Sequence, residues 1–184
     1  MDTLIPALGQ GGGKERMLQT VIREPTAEDG AAISDLIARC PPLDRNSVYS
    51  TLLLCTHFAK TCALAEGERR PEGWVSAYLP PSAPDTLFVW QVAIDAERRG
   101  EGLAGRLIAA ILARPACRRV KRLQTTITCD NEASWALFRN VAAKFGADFS
   151  AAPHFLRTTH FAGDHETEHL VTIEPIQPAA DSGQ

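Results

Sequence analysis

The hydrophobic pattern switches repeatedly between a period of two and a period of 3.6. Residues 21–25 are a short run led by Val21 and Ile22, which predicts a first strand. Thr26 then predicts a helix cap, with Asp29 three residues on as its capping-box acid. Ile33, Leu36 and Ile37 recur at helical spacing, and Pro41-Pro42 stops that helix. Asn46 or Ser47 can cap a second helix carrying Tyr49, Leu52 and Leu53. Strands follow over 61–66 and 73–79, with a charged turn at 68–71 between them and Pro80-Pro81 after them. Further on, 123–128 alternates β-branched residues, 131–145 is helical, and 169–174 is a last strand. Residues 148–149 and 155–157 are strand-like but predict two pieces, because Pro153 lies between them. The order is β-α-α-β-β-β-α-β-α-β-β, an α/β chain without internal repeats.

One stretch organises the rest. Residues 89–94 (Val-Trp-Gln-Val-Ala-Ile) form a strand, 95–98 a polar turn, and 99–105 a loop holding Gly100, Gly102 and Gly105. Leu107, Ile108, Ile111 and Leu112 then repeat at helical spacing. A glycine-bearing turn that feeds a helix gathers free backbone N–H groups at the positive end of the helix dipole, which suits a phosphate. No Gly-Lys-Ser/Thr follows, so the loop is not a Walker loop, and its glycines are wrongly spaced for a dinucleotide fingerprint.

A chain of 184 residues suits one domain with its own core. The expected domain spans 20–175, with a disordered leader over 1–19 around a glycine run and a disordered tail over 176–184. A formal charge of −3 gives no electrostatic reason to expect nucleic acid or an anionic membrane as partner. The five cysteines are odd in number, scattered and free of Cys-x-x-Cys pairs. They predict reduced thiols and a cytoplasmic protein rather than disulfides or zinc. No apolar run is long enough to span a bilayer.

Arg99-x-x-Gly102-x-Ala104 resembles the acetyl-coenzyme A pyrophosphate loop of the GCN5-related N-acetyltransferases (GNAT), Gln/Arg-x-x-Gly-x-Gly/Ala. Residues 131–138 resemble that family's Asn-x-x-Ala-x-x-Leu-Tyr segment, with Phe138 in place of the tyrosine. The resemblance implies a mixed central sheet, splayed between its middle strands and flanked by helices on both faces. It implies acetyl-coenzyme A as co-substrate. Val92, Ala93 and Ile94 would pair with the pantetheine amides, and Arg99, Gly100, Glu101, Gly102, Leu103, Ala104 and Gly105 would hold the pyrophosphate. Asn131 would contact the pantetheine arm, cap its helix, or both.

Over residues 21–174 the chain is further similar to the L-2,4-diaminobutyrate acetyltransferases. Residues 42–49 with 52–55, then 74–78, 85–93, 128–134 and 165–170, carry that similarity. It implies transfer of acetyl to the γ-amine of L-2,4-diaminobutyrate, the step before the compatible solute ectoine, and a homodimer. It also implies an acceptor pocket built from Asp44, Tyr49, Trp90, His165 and Glu168, with Tyr49 and Glu168 as catalytic candidates. Each has a plainer alternative. Asp44 can be a capping carboxylate, Tyr49 a core-edge ring, Trp90 ordinary core, and His165 with Glu168 a solvated polar strand end. Phe138 cannot donate a proton, so the general acid is unassigned. Residues 165–169 fit His-Glu-x-x-His, which binds zinc only on a helix. The alternation after His169 predicts a strand entry instead, with His165, Thr167 and His169 facing one way and the glutamates the other; no metal is expected. Two other functions fit the same fold: acetylation of another small amine such as a polyamine or aminoglycoside, and non-catalytic acetyl-coenzyme A sensing.

Overall fold

The structure, a computed structural model, describes residues 20–176. The expected leader lies outside the described residues, as does 177–184 of the expected tail. Ile176 belongs to the core instead of the tail. It is almost fully buried, and its N–H donates to the Lys121 carbonyl at 2.7 Å.

Seven strands form one sheet: β1 (Val21–Arg23), β2 (Ala63–Glu66), β3 (Pro71–Tyr78), β4 (Thr86–Ile94), β5 (Arg122–Thr128), β6 (Asp148–Phe155) and β7 (Glu168–Glu174). Their spatial order is β1-β2-β3-β4-β5-β7-β6. All neighbours are antiparallel except β4 and β5, which are parallel. The helices are α1 (Gly30–Ala38), α2 (Val48–His57), α3 (Leu103–Leu112), α4 (Glu132–Phe145) and a single turn, α5 (Arg157–His160). This is the mixed, two-faced α/β architecture expected of the sequence.

Each face has its own core. On one, Ile33, Leu36 and Ile37 of α1 and Leu54 and Cys55 of α2 pack on Leu64, Trp74 and Ala93. On the other, Leu103, Leu107, Ile108 and Ile111 of α3 and Phe138, Val141 and Ala142 of α4 pack on Val75, Ala77, Leu87, Val89 and Ile127. Burying each large aliphatic chain is worth about 1.5–3 kcal/mol, so the two helix layers hold the sheet from both sides. Burial also makes the core thiols inert. It pushes Cys55 and Cys117 up to about 11 and Cys62 up to about 12.

Strand β4 changes face partway along. Ser76 of β3 pairs with Gln91, but Ala77 pairs with Val89, so Trp90 is an extra residue in β4. Before this bulge Leu87 and Val89 point to the α3 side; after it Ala93 points to the α1 side. A one-residue insertion must have that effect, because side chains alternate with a period of two. The parallel pairing of β4 with β5 ends just before the bulge. It covers Thr86↔Arg122, Leu87↔Leu123 and Phe88↔Gln124 only. Beyond these pairs the two strands part.

Pro153 does not break its strand. Strand β6 runs through it because β6 is the sheet edge, where the missing N–H costs no ladder bond; the irregularity falls one residue later, between Pro153 and Phe155. At the opposite edge Arg23 grips Asp29 with two hydrogen bonds of 2.8 Å, and the Thr26 N–H donates to the same carboxylate at 2.7 Å. The Arg23 hydrogen bond is the largest cause holding Asp29 down at about 2. A depressed carboxylate stabilises the fold above its ordinary value of 3.8, and loses that contribution as pH falls through about 2. Asp29→Asn is therefore expected to lower stability at neutral pH by on the order of 1 kcal/mol, a few degrees in Tm. Thermal melts of both proteins from pH 7 to pH 2 should converge at the acid end.

Candidate active site

Where β4 and β5 part, a cleft of about 940 Å³ opens. Its walls come from separate parts of the chain. Val89, Trp90, Gln91 and Val92 of β4 form one side; Thr125, Thr126 and Thr128 of β5 form the other. The segment between α1 and α2, the start of α4, and the loop before β7 complete it.

The β4 edge of this cleft carries unpaired backbone groups. Asp95 N–H turns to β3, donating to Glu72 O at 2.9 Å. Alternation along the strand then turns Ala93 to β3 as well, and points the N–H and C=O of Val92 and Ile94 into the gap. The Ile94 carbonyl confirms the direction, accepting from Cys40 Sγ at 3.3 Å and Arg99 Nε at 3.2 Å. Of the three expected pairing residues, Val92 thus turns its backbone to the cleft, while Ile94 has its N–H on that side and its carbonyl engaged by Cys40 and Arg99. Ala93 is fully buried against α1 and pairs with Trp74.

The glycine loop has the conformation that an anion site needs. Gly100 and Gly102 have φ of +80° and +70°, and a Cβ at either would meet nothing within 4 Å. Their glycine identity is therefore a demand of backbone conformation rather than of space. Helix α3 begins at Leu103, two residues earlier than the loop limit read from the sequence. Leu103, Ala104 and Gly105 form its first turn, whose N–H groups have no partner within the helix. The two neighbouring arginines differ. Arg98 is tied to Glu72, Glu101 and Thr20; Arg99 is exposed and engages the chain here only through Nε. Across the gap, Asn131 lines the cleft and caps α4, its Oδ1 accepting from Ser134 N at 3.1 Å. Both expected roles of Asn131 are thus compatible.

The cleft itself is acidic. Asp44, Asp130, Asp164, Glu166 and Glu168 all line it. A hydrogen bond from Thr128 holds Asp130 below the usual carboxylate range. Glu168 is largely buried, and its Oε2 is a buried oxygen without a partner among the described residues. Such an oxygen calls for a donor. Its Oε1 lies 3.8 Å from His165 Nε2. His165 Nδ1 is 2.8 Å from the Glu166 carbonyl, which only accepts. Nδ1 therefore carries the hydrogen, and Nε2 is the ring nitrogen that faces Glu168. Asp44 is held by Gln91, whose Nε2 donates to the Asp44 carbonyl at 3.1 Å. Trp90, extruded at the bulge, is half exposed in the cleft wall.

The His-Glu-x-x-His stretch is neither a helix nor one strand. Residues 165–167 are loop, entered through Ala162 and Gly163 at φ of +52° and +96°, and β7 starts at Glu168. The expected alternation fails for that reason. His165 joins Glu168 in the cleft, while His169 turns to Cys129 and Trp135. Among the described residues no group of three His, Cys, Asp or Glu could hold a metal ion.

Of the expected acceptor residues, Asp44, Trp90, His165 and Glu168 meet in the cleft. Tyr49 does not line it; its side chain is 69% exposed on α2. Phe138, where the family tyrosine was expected, is buried and forms part of the cleft floor. Sequence reading overlooked Gln91, Thr125, Thr126, Asp164 and Arg157. Thr125 and Thr126 alternate in a recognised strand, but only the splay makes them lining residues. Arg157 has no local signal at all, since it reaches the cleft through a turn that no periodicity announces.

Residues 31–142 match the model of the Acetyltransferase (GNAT) family. The L-2,4-diaminobutyric acid acetyltransferase of Methylotuvimicrobium alcaliphilum is 49% identical over 156 residues, 85% of this chain and 91% of that protein. That of Chromohalobacter salexigens is 48% identical over 158 residues, 85% and 82% of the two chains. Among solved structures, the diaminobutyrate acetyltransferase EctA from Paenibacillus lautus, in complex with L-2,4-diaminobutyric acid and coenzyme A, superposes with a TM-score of 0.82. It is 34% identical, and the match covers 86% of this chain and 96% of that one. The chain belongs to the L-2,4-diaminobutyrate acetyltransferases of the GNAT family.

Proposed function

We propose that this enzyme transfers the acetyl group of acetyl-coenzyme A to the γ-amine of L-2,4-diaminobutyrate, as a step toward ectoine. The observation that carries the reading is an acidic cleft opening where β4 leaves β5, on the strand that runs on toward the left-handed glycine turn. The glycine turn and the free N–H groups that start α3 suit phosphates, and the buried acid of the cleft suits ammonium groups. Acetyl-coenzyme A supplies an activated thioester and leaves as coenzyme A; the residues that suit holding it are Arg99 to Gly105 for the pyrophosphate and Val92, Ile94 and Asn131 for the arm.

The acceptor amine must lose a proton, since a free alkyl amine has a pKa of about 10. Glu168, with His165 Nε2 beside it, is positioned to hold the ammonium and take that proton. Asp44 offers a second acid for the other ammonium, and Trp90 bounds the acceptor. The Val92 N–H that faces the gap is the donor for negative charge developing on the acetyl oxygen. Tyr49 stands apart in this chain alone, and its catalytic role would need a rearrangement or a neighbouring protomer. Phe138 leaves the departing thiolate to take its proton from water.

We further infer one domain over residues 20–176, a homodimer and a cytoplasmic location. The dimer is supported by β6, an edge strand exposed along nearly its whole length and ending in Phe155 and Leu156, both 40% exposed. No helix among the described residues is long and apolar enough to cross a membrane.

A thiol-release assay with L-2,4-diaminobutyrate, ornithine, lysine, spermidine and kanamycin tests the reading. Turnover should be confined to diaminobutyrate, with the acetyl on the γ-nitrogen by NMR. Equal turnover of spermidine or kanamycin would overturn the substrate. Glu168→Gln should lower kcat/KM by roughly 10²–10⁴-fold at pH 7, the usual worth of a general base. Gly102→Val forces a branched side chain into the left-handed region, a strain of about 1–3 kcal/mol. It should raise KM for acetyl-coenzyme A about tenfold or more, with KM for diaminobutyrate little changed.

A further inference from the structure

The substrate named above has two ammonium groups and one carboxylate. The acids of the cleft suit the ammoniums and would repel the carboxylate. Among the described residues lining the cleft, Arg157 is the single arginine, and no lysine lines it. Its guanidinium is held in place. Nε donates to the Gly163 carbonyl at 3.1 Å, and Nη1 is ion-paired with Glu166. The backbone is fastened too: Arg157 N–H donates to Thr167 Oγ1 at 3.1 Å, and Gly163 N–H donates to the Arg157 carbonyl at 2.9 Å. These contacts leave the two N–H groups of Nη2 without a protein partner among the described residues.

We propose that Arg157 binds the α-carboxylate of the acceptor through its Nη2 edge, and so selects an amino acid over a plain diamine. The inference rests on the diaminobutyrate reading. A planar guanidinium presents paired N–H donors that match a carboxylate, and a fork already fixed by Gly163 and Glu166 loses little freedom on binding. Glu166 acts as a positioning residue: it fixes the guanidinium rather than touching the acceptor. The arrangement also explains how one cleft holds groups of both signs. Arg157 opens α5, just before the loop that carries Asp164, His165 and Glu166, so a carboxylate bound to it leaves the amine chain free to extend toward Glu168.

The test compares L-2,4-diaminobutyrate with 1,3-diaminopropane, the same molecule without its carboxylate. KM is measured for the first, and the inhibition constant or KM for the second. Arg157→Ala should raise KM for diaminobutyrate by on the order of tenfold, the low end for a charge-assisted contact of a half-exposed group. The constant for diaminopropane should stay within about twofold, and Arg157→Lys should recover part of the loss. Glu166→Gln should weaken diaminobutyrate by less than Arg157→Ala does and leave diaminopropane within about twofold, because it loosens the fork but keeps the guanidinium charge. Equal loss of both ligands in Arg157→Ala would mean that Arg157 is only a clasp, and would overturn the proposal. So would no change in either. A wild-type enzyme that fails to acetylate diaminobutyrate would overturn the substrate reading itself, an outcome visible before any variant is made.

Discussion

Everything functional here depends on two neighbouring strands that stop bonding to each other. A parallel pair normally satisfies its backbone groups along its length, and a buried unpaired group costs about 1–3 kcal/mol. Strands β4 and β5 share only three paired positions, and then the Val92 backbone faces the cleft and the Ile94 carbonyl turns to Cys40 and Arg99 instead of β5. The bulge at Trp90 helps to enforce this. It bends β4 away and turns Trp90 out into the gap. The cores above and below keep the sheet from closing. Leu107 and Ile111 lock one face and Trp74 with Leu36 the other. The unpaired edge is thus a ready-made strand partner for an amide-bearing ligand.

Charges of the two signs gather on different elements. Free N–H groups and Arg99 lie at the start of α3, beyond the end of β4, while carboxylates from the 39–47 segment, the start of α4 and the loop before β7 line the cleft. This sorting fixes direction. A ligand laid along β4 with its phosphates at the α3 turn would point its other end toward the acids. The buried Oε2 of Glu168, without a partner among the described residues, and Nε2 of His165 lie together in the cleft.

Much of this was legible in the sequence, and for identifiable reasons. The 89–113 stretch declared a strand, a glycine turn and a helix because each uses its own period and its own residues. The order of elements followed, as did Asn131 as a cap. What stayed hidden was set by contacts distant in the chain. The place of β7 between β5 and β6 leaves no local mark, so Pro153 looked like a break when it is an edge residue. The parity switch at Trp90 depends on register with β3, and it reassigns Ala93 from the ligand to the core. Alternation put His165 on the side of His169, but positive φ at Ala162 and Gly163 makes that stretch a loop and turns it to Glu168 instead. Tyr49 sits five residues from Asp44, yet only Asp44 belongs to the segment that Gln91 draws into the cleft.

The central claim is that the open edge of β4 is the seat of the co-substrate. Residue-resolved hydrogen–deuterium exchange with and without coenzyme A tests it most directly. Val92, Ile94 and the first turn of α3 should exchange readily in the free protein and become protected when coenzyme A is bound, while Ala93, already paired with β3, should be slow in both. Protection confined to other parts of the sheet, with Val92 and Ile94 unchanged, would contradict the account.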